Sequence, residues 1–400
     1  MSRTVVLAYS GGLDTSVCVR WLSERGYRVI AFLADVGQGE PLTRHIHRAK
    51  LAGAAEVVVR DLRSQFAHDY ILPALKAHAV YEGKYLLATA LSRPLIARHL
   101  VEVAHRTHAK VVAHGCTGKG NDQVRFEVSI RALDPSLEII APVRQWKFRS
   151  RKEELAYAIR HGIAVEVNPK SAYSIDQNLW GLSVEAGALE DAWQRPPRDS
   201  FRWLRPPDQA PAKGTQVRVE FRHGVPSALN GRRRSLVPLI QELNRLGSIH
   251  GVGRSDLIES RVVGIKSREV YEAPAAHILM EAHAELERLV LDRELLHFKH
   301  TLALKYAELI YYGLWFTPLK SALDAFVNET QARVTGTVRL ALLKGSCHVV
   351  GRKSPFALYD PRLATYGGGD AFDQGAAAGF IKLWGLPYES SGKFKVKSGK

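Results

Sequence analysis

Cysteine is scarce in this sequence, and long hydrophobic runs are absent from it. Its three cysteines, Cys18, Cys116 and Cys347, lie far apart and form no CxxC pair. This spacing argues against a disulfide framework or a cysteine-based zinc site and is typical of proteins in a reducing compartment. No apolar stretch reaches the roughly 18 residues of a membrane helix, and the N-terminus MSRTVVLAYS lacks the apolar segment of a signal peptide. We therefore expect a soluble, cytoplasmic protein without a membrane partner.

Acidic residues are in the minority, with 40 Asp and Glu against 56 Lys and Arg and a formal net charge of +16. Such an excess favours anionic partners, which could be a nucleic acid or phosphorylated and carboxylate substrates held in pockets. The charge is dispersed, its densest internal run being Arg232–Arg234 after an Asn-Gly turn signal, and the basic tail over 390–400 is typical of a solvated end. We expect small anionic substrates rather than a nucleic acid.

Short apolar runs alternate with helical patterns over the first 165 residues or so. The runs are TVVLAY (4–9), RVIAFLA (28–34), AEVVV (55–59), KVVAH (110–114) and LEIIAP (137–142). Nearly continuous apolar strands separated by helices predict an α/β domain with a doubly wound parallel sheet. Ligands of such sheets bind beyond the carboxyl ends of the strands. The residues after each run are therefore the first candidates for a site.

The pattern changes beyond a segment rich in Pro, Arg and Trp at 193–214. TQVRVEF alternates strictly, SLVPLIQELNRLG has helical spacing, and RVTGTVRLALLKGSCHVVGR has the pattern of a strand, a turn and a strand. A long helical region is predicted over 275–330, and a helix with an apolar face over 372–386. Since 400 residues exceed what one core usually organises, we predict a second, α+β domain.

The stretch AYSGGLDTS (8–16) joins the first apolar run to a helical pattern. Its glycines allow main-chain N–H groups to approach an anion, and the start of the helix adds the positive end of a dipole. Ser10, Thr15 and Ser16 add hydroxyl donors, so a triphosphate or pyrophosphate would fit. The lysine of GxxxxGK[ST] and the pattern GxGxxG are both absent, which excludes the commonest phosphate loop and the dinucleotide fingerprint.

SGGxD[ST] after a first strand resembles the PP-loop of the N-type ATP pyrophosphatases. The resemblance implies cleavage between the α- and β-phosphates, with pyrophosphate retained in the loop and AMP passed to an acceptor. A retained leaving group would account for the missing lysine. GMP, NAD and asparagine synthetases and tRNA-thiolating enzymes share the loop, so the loop alone leaves the acceptor open.

A second polar motif, HGCTGKGNDQVRFE (114–127), follows the predicted strand KVVA. Thr117 and Asn121 supply neutral donors and Arg125 supplies a cation, which suit carboxylates or phosphates. Asp122 suits an ammonium group. An amino acid must be recognised at both of its ends, so this motif predicts an amino acid site at the same edge of the sheet.

Together the two motifs resemble the signatures of the argininosuccinate synthase family, as do YLLATALSRPLIARHLV, SIDQNLWGLSVEAG, GVGRSDLIESRVVGIKSREVYEAPAAHIL and LYDPRLATY. The resemblance covers all but the last dozen residues. It implies ATP-dependent ligation of citrulline and aspartate, with Mg²⁺ accompanying the nucleotide, through a citrullyl-adenylate and with release of AMP and pyrophosphate. It also implies a homotetramer, built from a nucleotide-binding domain (1–168), a synthetase and multimerisation domain (169–365), an oligomerisation helix (366–388) and a basic tail (389–400).

The resemblance also implies roles for individual residues. ATP would contact Ala8, Tyr9, Ser10, Gly11, Gly12, Leu13, Asp14, Thr15, Ser16, Ala34 and Gly115. Aspartate would contact Thr117, Asn121 and Asp122, and citrulline would contact Tyr85, Asn121, Arg125, Ser174, Ser183, Glu259 and Tyr271. Asp14 and Asp122 are the candidate catalytic residues, and no protein ligand of Mg²⁺ is assigned. Glu259 can pair with the citrulline α-ammonium, and Arg125 suits its carboxylate.

Ala90 departs from the family pattern, because many members carry there a serine that contacts citrulline. We expect Thr89 or a water molecule to replace this contact, at a cost of about 1 kcal/mol or less. Two alternatives to the ligase remain. An RNA-modifying PP-loop enzyme would suit the net charge, but this sequence lacks the paired cysteines that sulfur transfer needs. A nucleotide sensor would have no use for the cluster from Thr117 to Arg125.

Overall fold

Strand β1 (Arg3–Ala8) is buried on both faces and lies at the centre of the N-terminal half. In this computed structural model, which describes residues 3–148, 150–163 and 173–389, Val5 and Leu7 share a core with helix α1 (Leu13–Ser23). Val6 and Ala8 share a separate core with helix α5 (Ala88–Arg106). Because successive strand residues face opposite sides, helices cover both faces of this sheet.

Five parallel strands form the first sheet, in the order β3-β2-β1-β4-β5. The other four are β2 (Tyr27–Asp35), β3 (Glu56–Asp61), β4 (Val111–His114) and β5 (Glu138–Ile140). Since β1 pairs with β2 on one side and with β4 on the other, the chain order reverses next to β1. Ligands of open parallel sheets bind at such a reversal, beyond the carboxyl ends of the strands. The loops after β1 and β4, which carry the two polar motifs, meet there.

The remaining helices of this half connect the strands. They are α2 (Leu42–Leu51), α3 (Arg63–Gln65), a π-helical turn (Phe66–Ile71), α4 (Leu72–Lys76), α6 (Asp122–Leu133), α7 (Pro142–Gln145) and α8 (Arg151–Arg160). The predicted doubly wound parallel sheet is confirmed. Its strand positions agree with the apolar runs because central strands, buried on both faces, need apolar residues at every position.

Two antiparallel sheets follow residue 173. The four-stranded sheet has the order β11-β12-β7-β6, made of β6 (Ser174–Asn178), β7 (Gly181–Glu185), β11 (Arg254–Ser260) and β12 (Lys266–Glu272). The five-stranded sheet has the order β10-β9-β8-β13-β14, made of β8 (Thr215–Arg222), β9 (Val225–Leu229), β10 (Arg232–Arg233), β13 (Gly336–Leu343) and β14 (Ser346–Lys353). The long helices are α9 (Leu236–Ile249), α10 (Pro274–Val290), α11 (Arg293–Tyr311) and α12 (Pro318–Thr330). The predicted α+β character of this half is confirmed.

The composition of the segment over 193–214 predicts a surface excursion or an interdomain segment, and the structure shows that its middle is hydrogen-bonded to β12. The fully buried Glu272 carboxylate accepts hydrogen bonds from three successive main-chain N–H groups, those of residues 202–204, at 2.8–3.0 Å. Trp193, at the start of the segment, is 96% exposed. The segment therefore starts at the surface and is anchored to β12 farther along.

The chain divides into two compact units, residues 1–356 and 357–400. The second unit contains α13 (Pro361–Ala364) and α14 (Gln374–Glu389), on which the exposed rings of Phe380 and Trp384 stack 5.6 Å apart. Among the described residues, no helix is long and apolar enough to cross a membrane. The predicted boundary at 168/169 and the tail beyond 389 fall outside the described residues, and the domain limits stay predictions.

Candidate active site

A cavity of about 510 Å³ opens at the carboxyl ends of β1 and β4, and the four-stranded sheet contributes to its lining. It is lined by these residues that the sequence assigns to substrates: Ala8, Tyr9, Ser10, Gly11, Gly12, Asp14, Thr15, Ala34, Tyr85, Gly115, Thr117, Asn121, Asp122, Arg125, Ser174, Ser183, Glu259 and Tyr271. The other two, Leu13 and Ser16, are buried within the first turn of α1 and do not line it. The fold thus brings residues far apart in sequence to one cavity.

The loop after β1 keeps side chains away from its main chain. Gly11 has a φ of +84°, in the left-handed region, and a Cβ there would collide with the imidazole ring of His45. Arg48 donates a hydrogen bond to the Gly11 carbonyl. A Cβ on Gly115 would lie 2.8 Å from the methyl group of Thr15. Glycine is therefore required at both positions, by conformation at one and by close approach at the other.

The hydroxyl groups of this loop differ in what they can still bind. Ser10 Oγ and Thr15 Oγ1 lie 3.1 Å apart at the cavity wall. Ser16 Oγ instead donates to the Gly12 carbonyl at 2.7 Å, and it lies 3.0 Å from the Tyr9 hydroxyl. The hydroxyl of Ser16, which we expected to meet the anion, is therefore engaged within the loop, and Ser10 and Thr15 are the hydroxyls that face the cavity.

The end of β2 supplies an apolar wall next to this loop. Phe32, Ala34 and Val36 alternate along the chain and all line the cavity. Gln38 folds back on them, donating to the Ala34 carbonyl and accepting from the Val36 N–H, both at 2.7 Å. Because the polar main-chain groups at this point are satisfied internally, the surface suits a flat, weakly polar ring such as a purine.

Asp122 is held between two guanidinium groups. Arg93 donates to Asp122 Oδ2 through Nε at 2.9 Å and through Nη2 at 2.7 Å, and Arg125 Nη1 donates to Oδ1 at 2.8 Å. Arg93 also pairs with Asp176. Burial alone would raise the pKa of Asp122, but the two arginines hold that pKa below its usual value. The carboxylate is therefore ionised and fixed in orientation before any ligand binds.

The Glu259 carboxylate accepts hydrogen bonds from two phenol hydroxyls. Tyr271 donates to its Oε2 and Tyr311 donates to its Oε1, both at 2.5 Å. Asn121 donates through Nδ2 to the Tyr311 hydroxyl at 2.8 Å and accepts through Oδ1 from the Val262 N–H at 2.9 Å. The Asn121 side chain, assigned to both amino acids, is thus oriented by the protein, with one amide hydrogen left for a ligand.

A second acidic side chain, Glu269, lies next to this pair. Its Oε2 is 2.9 Å from the Tyr271 hydroxyl, and its Oε1 accepts from Arg261 at 3.2 Å. Arg261 also pairs with Glu185. Burial, aided by the charges of Glu259 and Glu185, raises the pKa of Glu269 to about 8.

Tyr85 and Thr89 occupy the position next to Ala90. The Tyr85 hydroxyl accepts from the Thr89 N–H at 3.1 Å and from the Ala90 N–H at 3.3 Å. Thr89 Oγ1 lies 3.4 Å from Ser183 Oγ, and both residues line the cavity. Ala90 is fully buried and does not line the cavity. Thr89 therefore lies at the cavity wall, and its replacement of the serine contact to citrulline stays a prediction.

Several cavity residues were not found from the sequence. Three had a local signal: Asp176 lies two residues after Ser174 on β6, Glu185 lies two after Ser183 on β7, and Glu269 lies two before Tyr271 on β12. Since residues i and i+2 of a strand share a face, each assigned residue pointed to its neighbour. His45, Arg48, Arg93 and Arg261 reach the cavity, and Tyr311 reaches Glu259, only through tertiary folding, and these five residues gave no such signal.

Two family profiles match this chain. The Arginosuccinate synthase N-terminal HUP domain matches residues 4–164, and the Arginosuccinate synthase C-terminal domain matches residues 173–391. Two solved structures each match 40% of this chain. The match covers 76% of a predicted tRNA methyltransferase subunit from Methanocaldococcus jannaschii and 41% of a 4-thiouridine synthetase in complex with RNA and bound ATP. Their TM-scores are 0.29 and 0.30, at 15% and 17% identity.

Curated relatives match over nearly their full length. The chain is 56% identical over 386 residues to the argininosuccinate synthase of Bacillus pumilus, covering 96% of each chain. It is 54% identical over 400 residues to that of Aquifex aeolicus, covering 100% of this chain and 99% of the relative. The Bacillus subtilis enzyme is 54% identical over 395 residues, which are 99% of this chain and 98% of the relative. These matches confirm the predicted enzyme class, a ligase. The chain belongs to the argininosuccinate synthase family.

Proposed function

We propose that this cavity binds MgATP, citrulline and aspartate and joins the two amino acids into argininosuccinate, releasing AMP and pyrophosphate through a citrullyl-adenylate. Membership in the family makes the protein an ATP-using ligase of arginine biosynthesis. The observation that supports the finer proposal is the shared cavity, in which a phosphate-binding loop, an Arg–Asp cluster and a Glu–Tyr cluster line one space. Adenylation followed by amine attack needs all three substrates within one such space.

ATP is proposed to lie along the loop after β1, with its phosphates at Ala8–Ser16 and its base near Ala34 and Gly115. The free N–H groups at the start of α1 and its dipole favour the negative charge that collects on departing pyrophosphate. Mg²⁺ would accompany the nucleotide, since this ion is usually held by substrate phosphates and one or two carboxylates. Asp14 is the carboxylate of the loop that lines the cavity, and we propose it as the residue nearest that ion.

Aspartate is proposed to bind at Thr117, Asn121 and Asp122. Because two arginines keep Asp122 ionised, its carboxylate is a good partner for an ammonium group but a weak acceptor of its proton. We therefore propose that the catalytic contribution of Asp122 is to place the aspartate nitrogen. Citrulline is proposed to bind on the other side, at Tyr85, Asn121, Arg125, Ser174, Ser183, Glu259 and Tyr271.

The reaction then proceeds in two steps. The ureido oxygen of citrulline attacks the α-phosphorus, the bond to the β-phosphate breaks, and pyrophosphate leaves into the loop after β1. The aspartate ammonium next loses a proton to solvent, and its amine attacks the activated ureido carbon. A new C–N bond forms, AMP leaves with the transferred oxygen, and a second proton leaves the attacking nitrogen as the guanidinium of the product forms. Placement of the reactants by fixed side chains and neutralisation of phosphate charge supply the rate enhancement.

The test is release of pyrophosphate from ATP by the purified full chain. We expect catalytic turnover that requires citrulline and aspartate together, with argininosuccinate formed in equal amount, and at most one pyrophosphate per site with citrulline alone. Pyrophosphate release that needs neither amino acid, or that appears only on addition of tRNA, would overturn the proposal. Omitting one amino acid at a time provides the control within the same preparation.

We also propose that the protein works as a homotetramer in the cytoplasm. Three free cysteines suit a reducing compartment. The exposed Phe380 and Trp384 on α14 would be covered by another subunit. Light scattering should give a tetramer mass for the native chain and a smaller mass for the Phe380→Asp/Trp384→Asp variant. A native monomer would contradict the proposed assembly.

A further inference from the structure

The Tyr271 hydroxyl is shared by two carboxyl groups. It lies 2.5 Å from Glu259 Oε2 and 2.9 Å from Glu269 Oε2. A neutral phenol has one hydrogen to donate, so it can satisfy only one ionised carboxylate. The second contact is attractive only if the other carboxyl group carries a hydrogen of its own and donates it to the phenol oxygen. The geometry therefore requires that one of the two carboxyl groups is protonated.

The contacts indicate which carboxyl group carries this proton. Burial raises the pKa of Glu259, but both of its oxygens accept hydrogen bonds from phenols, Tyr271 and Tyr311, and these bonds favour its charged form. Glu269 Oε1 accepts from Arg261, which leaves Oε2 free to carry a hydrogen and donate it to Tyr271. Arg261 also pairs with Glu185 and is thus shared between two acids. The hydrogen therefore belongs on Glu269 Oε2.

The charges around Glu269 come from three elements. Glu185 on β7 and Glu259 on β11 raise its pKa, whereas Arg261 just beyond β11 and the Tyr271 hydroxyl on β12 lower it. Arg125 also acts on Glu259, and it is linked through Asp122 and Arg93 to Asp176. With Glu269 neutral, the four carboxylates of this whole cluster (Glu185, Glu259, Asp122 and Asp176) outnumber its three arginines by one negative charge. The empty site therefore carries a net charge of −1, which the positive charge of a bound ammonium group would neutralise.

We propose that Glu269 holds a proton in the empty site and releases it when the α-ammonium of citrulline binds at Glu259, which makes Glu269 a specificity residue for that ammonium. This inference rests on the proposed function, which puts citrulline at Glu259. In this step the O–H bond of Glu269 breaks and its proton passes to solvent through the cavity, while the citrulline ammonium keeps its three hydrogens. The second carboxylate thus adds its charge only when a cation is present to pair with it.

Two effects follow. Citrulline binding is linked to proton release, so its affinity rises as pH increases from about 6 to 8 and then levels once Glu269 is ionised without ligand. A ureido acid without the α-amino group, such as 5-ureidopentanoate, brings no cation to the site. It binds without releasing the proton.

Calorimetric titration of citrulline into the full chain tests this inference, with α,β-methylene-ATP present to prevent adenylation. At pH 7, the dependence of the heat on buffer ionisation enthalpy should show release of roughly half a proton or more per citrulline bound, because a group with a pKa of about 8 is mostly protonated there. At pH 8.5 the release should fall to a small fraction. No buffer dependence at pH 7 would overturn the inference.

Glu269→Gln provides the matched variant, since a glutamine amide reproduces the shape and the hydrogen bonds of a protonated glutamate. It should bind citrulline with no proton release and with an affinity that varies less than twofold between pH 6 and 8. Unchanged proton release in Glu269→Gln would assign the proton to another group. Failure of the proposed function has a different signature, because the native chain would then form no pyrophosphate with citrulline and aspartate, whatever its proton balance.

Discussion

Arg93 directs two of its N–H groups at a single oxygen of Asp122, at 2.9 and 2.7 Å, while Arg125 takes the other oxygen at 2.8 Å. The two arginines come from different helices, α5 and α6, so their spacing is fixed by the packing of these helices. The carboxylate that we propose for the aspartate ammonium is thus oriented by the scaffold. An active-site group held in this way needs no reorganisation when its ligand arrives.

Arg93→Lys should weaken aspartate use selectively. A lysine ammonium cannot reproduce the planar donor pair, so Asp122 loses its orientation. We expect kcat/KM for aspartate to fall by about tenfold or more, and the free energy of unfolding to fall by about 1–2 kcal/mol. Arg98→Lys, on the same helix but over the Phe316 ring, is the control. Steady-state kinetics and urea unfolding measure both effects, and equal losses in the two variants would contradict the prediction.

Gly11→Ala and Gly12→Ala should differ sharply despite being adjacent. At Gly11 an alanine meets a φ of +84° and the His45 ring, whereas at Gly12, with a φ of −75°, its nearest neighbour is Ser10 Oγ at 3.5 Å. We expect Gly11→Ala to lower the free energy of unfolding by roughly 1–3 kcal/mol and to abolish ATP binding. The free energy of unfolding of Gly12→Ala should lie within about 0.5 kcal/mol of that of the native chain.

Adding His45→Ala to Gly11→Ala separates the two causes in that comparison. The double variant removes the collision but keeps the unfavourable φ, so it should recover part of the lost stability. Thermal and urea unfolding measure the recovery. Equal behaviour of the two glycine variants would show that the loop adopts another conformation.

Glu154→Gln should make the protein more stable at pH 8 and leave it unchanged near pH 4. Glu154 is 6% exposed, and burial together with the neighbouring Asp14 raises its pKa to about 8. Its protonated form is favoured by folding, so this contribution is complete below the usual glutamate pKa and is lost as pH rises toward 8. A glutamine cannot ionise, so the variant should avoid this loss, which amounts to about 4 kcal/mol at pH 8.

Urea unfolding of native and Glu154→Gln protein across pH 4–8 measures this difference. Glu153→Gln is the control, because the Glu153 side chain on the same helix is exposed. A flat difference curve for Glu154→Gln would mean that the acid keeps its usual pKa.

Ala90→Ser should lower the KM for citrulline modestly. Ala90 is fully buried and does not line the cavity, but its N–H donates to the Tyr85 hydroxyl and it adjoins Thr89, and both of these residues line the cavity. If Thr89 or a water molecule now serves as the substitute contact, an added donor gains about 1 kcal/mol at most. Steady-state kinetics measure the change, and a tenfold loss of activity would refute the hypothesis.

The parallel sheet was predictable from the sequence because its central strands are buried on both faces. Val5, Val6 and Leu7 illustrate this, since each is fully buried although successive residues face different helices. Continuous apolar runs result, and the strand order then puts two polar loops at one edge. The edge strand β3 is far less buried, yet its Val57–Val59 run still marks it.

The charged half of the site could be predicted only in part. Asp122 and Glu259 were identified through motifs, but their partners Arg93 and Tyr311 lie 29 and 52 residues away in sequence. Such pairs depend on how helices pack, which local patterns do not encode. Ser16 shows the opposite case, because its hydroxyl had two possible partners and geometry favoured the one within the loop.

The contact between Glu272 and residues 202–204 means that two parts of the segment over 193–214 should detach from β12 at different rates. The three amide hydrogens on that buried carboxylate leave only when the segment detaches from β12, so they should exchange slowly with deuterium. Trp193, exposed to 96%, lies in a stretch held to β12 by the Arg268 side chain, which donates to the Asp191 and Gln194 carbonyls, so a protease can reach it once that side chain moves. A cut near Trp193 would therefore leave the anchored part in place and the cavity wall formed by β12 intact.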